Sequence, residues 1–70
     1  MPFFGDWFQA WCAAERAAVQ AIRATALKSM LALERQGEPP SPDEAEEVRR
    51  LRARANALFE HGMAALAAAR

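Results

Sequence analysis

The sequence predicts an all-α protein, a two-helix antiparallel hairpin that dimerises into a four-helix bundle. Three observations lead there. One strong break, Gly37-Glu38-Pro39-Pro40-Ser41-Pro42-Asp43-Glu44, divides 70 residues into two Ala-rich segments of similar length. β-branched residues are few (Val19, Ile22, Thr25 and Val48) and Tyr is absent, which disfavours strands. Each segment repeats apolar residues at steps of three and four, the helical period.

Residues 1–5 read as a short arm carrying Phe3 and Phe4. Asp6 is the expected N-cap of the first helix, with Gln9 completing a weaker capping box. That helix is expected over about 6–36. One face collects Phe4, Phe8, Trp11, Cys12, Val19, Ile22, Ala26, Met30 and Leu33, the expected core stripe. Beside it runs a seam of small residues, Ala10, Ala14, Ala18, Ala21, Thr25 and Ala32, headed by Trp7. The seam suits close approach by a helix of another chain, because its Trp would not be left exposed cheaply.

The break has a specific chemistry. Gly37 is the residue best able to take the left-handed conformation that ends a helix. Pro39 and Pro40 cannot continue one. Ser41 then reads as an N-cap, with Pro42 at the first helical position and Glu44 at capping-box spacing. Asp43, Glu44, Glu46 and Glu47 place negative charge at the positive end of the helix dipole. The turn is therefore expected over 37–41 and the second helix over about 42–69. Its stripe is Val48, Leu51, Ala55, Leu58, Phe59, Gly62, Leu66 and Ala69.

A hairpin turning near residue 39 should pair positions whose numbers sum to about 78. Glu15 would then lie close to His61, as a polar pair that fixes helix register. A carboxylate on an apolar stripe needs such a partner or access to water.

The length allows one domain, 1–70, and a chain this short rarely buries enough core to stand alone. Two helices form no second layer, so further helices must come from another chain. The simplest closed answer is a twofold homodimer. In architecture alone this layout is similar to the Rop-type dimer of helical hairpins and to small hairpin co-chaperones of bacterial secretion systems. No motif is shared with either, and no residue or function carries over.

Nine acidic and nine basic residues balance, so overall charge does not call for a polyanion partner. A single cysteine, Cys12, excludes an intramolecular disulfide and fits a reducing, cytoplasmic setting. No basic segment precedes an apolar run, and no stretch is long enough to span a membrane, so neither a signal peptide nor a membrane partner is expected. Cys12 and His61 are too few for a metal site. Ser29, Ser41 and Thr25 have no base nearby, and no Gly-rich phosphate loop is present. No enzyme activity and no cofactor are expected.

Five of the six aromatic residues, Phe3, Phe4, Trp7, Phe8 and Trp11, lie in the first eleven positions. They cap the end of the bundle or dock a partner. With Ala14, Ala18 and Ala21 they form the expected protein-interaction surface. The function expected is a small non-enzymatic interaction module, an adaptor, co-chaperone or regulator that self-associates. One alternative is a nucleic-acid-binding regulator contacting phosphates through Arg49, Arg50, Arg52 and Arg54. Against it, those four point in separate directions, and Glu46 and Glu47 stand at ion-pairing spacing from Arg49 and Arg50. The other alternative is an amphipathic protein of a lipid or granule surface, using the N-terminal aromatics.

Overall fold

The computed structural model describes residues 2–69, and side chains over 5–69. The chain forms two helices, α1 (Pro2–Leu33) and α2 (Pro42–Ala68), packed against each other. The hairpin is a rod of 54 × 16 × 15 Å.

α1 begins four residues before the expected start and ends three before the expected stop. Residues 2–5 are helical and do not form an arm, so Asp6 lies within the helix and is not its N-cap. Pro2 suits the first helical position, where its fixed φ is already helical and its missing N–H is no loss. Phe3 and Phe4 lie outside the residues whose side chains are described.

The stop of α1 corrects a second expectation. The left-handed residue is Arg35, with φ 59°, and Gly37 has no positive φ. Around Arg35 the chain makes a Schellman motif. Gln36 N–H donates to Leu31 C=O (2.7 Å) and Arg35 N–H to Ala32 C=O (3.0 Å). The helix thus closes two residues before the glycine.

α2 starts as its sequence dictates. Ser41 is the N-cap, its hydroxyl accepting from Glu44 N–H (3.1 Å), while the Glu44 carboxylate accepts from Ser41 N–H (3.4 Å). Pro42 occupies the first turn, and Asp43 and Glu44 face the dipole.

The faces of α1 are exchanged relative to expectation. The small-residue seam packs on α2: Ala14, Ala18, Ala55 and Gly62 are buried, and Ala21, Thr25, Leu51 and Leu58 are partly so. Most of the bulky stripe is turned outward, while Trp11, Cys12 and Val19 are half-buried. Phe8 is 46% exposed, Met30 58% and Leu33 86%, and Ile22 is exposed as well. Ala and Gly let two helix axes approach closely, and bulky residues would hold them apart.

The register also departs from a sum of 78. Trp7 meets Gly62, giving 69, and Lys28 meets Glu44, giving 72. The turn is asymmetric: Lys28 already lies level with the first turn of α2, and α1 runs on to Leu33. Residues 34–41 then lead back to the start of α2.

Candidate functional site

Trp7 fixes how the two helices fit. A Cβ placed on Gly62 would overlap the Trp7 indole, so the ring lies in the space that glycine leaves open. Its Nε1–H donates to the carbonyl of Leu58, one helical turn before Gly62 (2.5 Å). A helical carbonyl has a second lone pair for this.

From that anchor the aromatic residues extend onto one side of the rod. Trp7 stacks on Trp11 at 6.3 Å between ring centres, with planes 13° apart. Phe8 meets Trp11 at 5.9 Å, and Trp11 meets Phe59 of α2 at 5.8 Å. Met63 and Leu66, both exposed, continue from Phe59 at helical spacing. The expected aromatic cluster is therefore assembled around Trp7, Phe8 and Trp11, with Phe59 added by α2.

Next along this side lies a groove of about 550 Å³ on α1, lined by Trp11, Cys12, Glu15, Arg16, Val19, Gln20 and Arg23. At 3.6 residues per turn the stripe stands roughly a quarter to a third of a turn from the seam. That is the angle at which a helix in a four-helix bundle meets its second neighbour.

Glu15 does not meet His61, which is exposed. Its carboxylate receives both terminal nitrogens of Arg52, with Nη1 donating to Oε2 at 3.0 Å and Nη2 to Oε1. Both side chains are about two-thirds covered. The shorter register moves α2 past Glu15 and brings Arg52 opposite it. The paired hydrogen bonds pull the Glu15 carboxyl below its usual range and raise Arg52. Arg52 Nε is buried without a bond, since both ends of the guanidinium fork are turned to Glu15.

The other arginines are distributed as solvated pairs. Arg49 binds Glu46 (2.6 Å) and Arg50 binds Glu47 (2.5 Å), both at i,i+3. Bonding to Glu47 raises Arg50. Arg54 lies on the opposite side of the rod, in a groove of about 290 Å³ with Ala10, Ala13, Ala14, Ala17 and Leu51. The four arginines make no common stripe.

Sequence reasoning missed three contacts: Trp7 with Gly62, Glu15 with Arg52, and Lys28 with Glu44 (2.6 Å). The Lys28 bond is the main reason the Glu44 carboxyl titrates low, with the Ser41 backbone adding to it. A signal for the first was present. Helix 2 offers one glycine, and the seam of helix 1 carries one ring that needs a hole.

Ala14, Ala18 and Ala21, expected to receive another chain, lie in or beside the seam between the chain's own helices. Among the described residues, no group of three potential metal ligands comes together, and no helix is long and apolar enough to cross a membrane. No protein family, curated protein or solved structure matches this chain.

Proposed function

We propose that the protein is a small non-enzymatic interaction module, of adaptor, co-chaperone or regulator type, that self-associates into a four-helix bundle. One observation supports this above the rest. The hairpin uses its small residues for its own seam and leaves Ile22, Met30, Leu33, Phe59, Met63 and Leu66 at the surface. Large apolar side chains gathered along one side and interspersed with polar ones mark an interaction surface more often than a free one.

The interaction surface in this reading is the stripe of α1 with the aromatic end, in place of the Ala seam. A reducing, cytoplasmic setting suits the lone half-buried thiol of Cys12. The nucleic-acid reading loses support, because Arg49, Arg50 and Arg52 are each held by a carboxylate of the same chain.

Light scattering on a sizing column at micromolar concentration tests the proposal. The expected mass is twice the 7.7 kDa of one chain. A well-folded monomer would overturn it.

A further inference from the structure

We infer that the apolar side is covered by a second copy of the chain, with the two α1 helices antiparallel. The twofold axis crosses α1 at the level between Gln20 and Ala21. This rests on the self-association proposed above and adds its geometry.

Area is sufficient for a second copy as the occupant. The side measures 54 by 16 Å, close to the ~800 Å² per partner of a standard interface. The groove on the opposite side is lined by Ala10, Ala13, Ala14, Ala17, Leu51 and Arg54, and away from the stripe Leu27 is the one other large apolar side chain exposed among the described residues. The stripe side therefore carries most of the apolar surface to be covered. An assembly through one self-complementary side closes after two copies and does not grow into a filament.

The stripe itself supplies the direction. Read backward from that level, it fits its own forward reading. Phe8 and Leu33 are equally distant from the axis, so each Phe8 lies opposite the second copy's Leu33. Glu15 and Ala26 are equally distant too, so the Glu15–Arg52 clamp lies opposite the smallest residue of the stripe. Val19 and Ile22 pack around the axis. The end of α1 beyond Lys28, which passes the start of α2, comes to lie over the aromatic end of the other copy. A parallel pair would instead set Glu15 against Glu15 and the two protruding Leu33 ends together. The first stacks two Glu15–Arg52 clamps against each other and buries both ion pairs together, at a desolvation cost that the antiparallel pairing with Ala26 avoids. The second leaves the rings uncovered.

Cys12 makes the register measurable. In this arrangement it lies beside the second copy's Met30, on the same edge of the interface. The two native Cys12 thiols are 17 positions apart, about 25 Å along the helix. The variant Met30→Cys, which retains Cys12, changes a side chain already 58% exposed. Under mild diamide oxidation it should form covalent dimers linked between positions 12 and 30. They should form about a hundredfold faster than in the native chain, as for thiols held at millimolar effective concentration. The double variant Cys12→Ser, Met30→Cys should not cross-link.

Light scattering on the same samples separates the two proposals. A dimer in which Met30→Cys forms no 12–30 bond overturns the antiparallel register and leaves self-association standing. Equal cross-linking of the native chain through position 12 does the same. A monomer removes both.

Discussion

Gly62→Ala should destabilise the hairpin, although the same change in an ordinary helix interior stabilises. Alanine gains about 1 kcal/mol of helix propensity over glycine. Against that, the new Cβ would overlap the Trp7 indole, so the ring must leave its slot. Leaving breaks the bond to the Leu58 carbonyl, worth about 1 kcal/mol. It also uncovers a half-buried Trp, for which about 2 kcal/mol is half the range of a fully buried one. The net loss is about 2 kcal/mol, on the order of 8–16 °C in Tm for a domain of this size. A double-mutant cycle isolates the cause. In a Trp7→Ala background nothing fills the slot, and Gly62→Ala should stabilise by about 1 kcal/mol. Urea unfolding followed by circular dichroism, at one fixed protein concentration, reads all four chains. If Gly62→Ala stabilises equally in both backgrounds, the Trp7 slot does not hold the helices together and the register derived from it is wrong.

Four further outcomes follow from other parts of the hairpin. Arg35→Gly should raise stability by about 1 kcal/mol, since glycine adopts the left-handed φ of 59° without strain. Gly37→Ala should be neutral or slightly stabilising, because its φ is ordinary and a Cβ there meets only Leu31 Cβ at 3.5 Å; a loss at Gly37 with no gain at Arg35 would contradict the observed helix stop. Glu15 and Glu44 titrate below the usual 4.5 in the folded chain, so their contribution is present above that pH and is lost as pH falls through the lowered values. A thermal series from pH 7 to 2 should show Tm dropping below pH 4.5, with a smaller drop in the Glu15→Gln, Glu44→Gln double variant; equal drops would show that these pairs are not responsible. Ile22→Glu should retain helicity and weaken self-association at least about tenfold, given the apolar surface lost; sedimentation at several concentrations reads this, and unchanged association would place the interface elsewhere.

The hairpin, its break and the start of α2 were legible because each is written in a few adjacent residues. Ser41, Pro42 and Glu44 specify a cap by chemistry that needs no distant partner. The Glu46–Arg49 and Glu47–Arg50 pairs were legible for the same reason. The choice of face on α1 was not. Both candidate faces have helical period, and ranking by bulk favours Phe8, Ile22 and Met30. Shape decides otherwise, since Ala14, Ala18, Ala55 and Gly62 allow a closer approach than large side chains do. α2 carried one main stripe, and its central residues Leu51, Ala55, Leu58 and Gly62 do face α1. Register failed through the turn. A sum of 78 assumes a symmetric reversal about residue 39, whereas α1 closes at Leu33 and the connection runs back. Once Trp7 is matched to Gly62, a sum near 69 brings Glu15 to the Arg52 region and leaves His61 in solvent.

The last turn and a half of α1, from Ser29 to Leu33, passes the start of α2 and is held by its own Schellman closure and a return segment. Backbone amides there have fewer tertiary contacts to protect them than those of the seam, so they should exchange with solvent by local opening while the middle of the hairpin remains closed. A second copy laid over this end would slow that exchange. Deuterium uptake at residues 29–33 would then rise on dilution while uptake at Ala14 and Ala18 stayed low. In the proposed dimer the end of the helix would thus report occupancy, with part of its order supplied by the second copy.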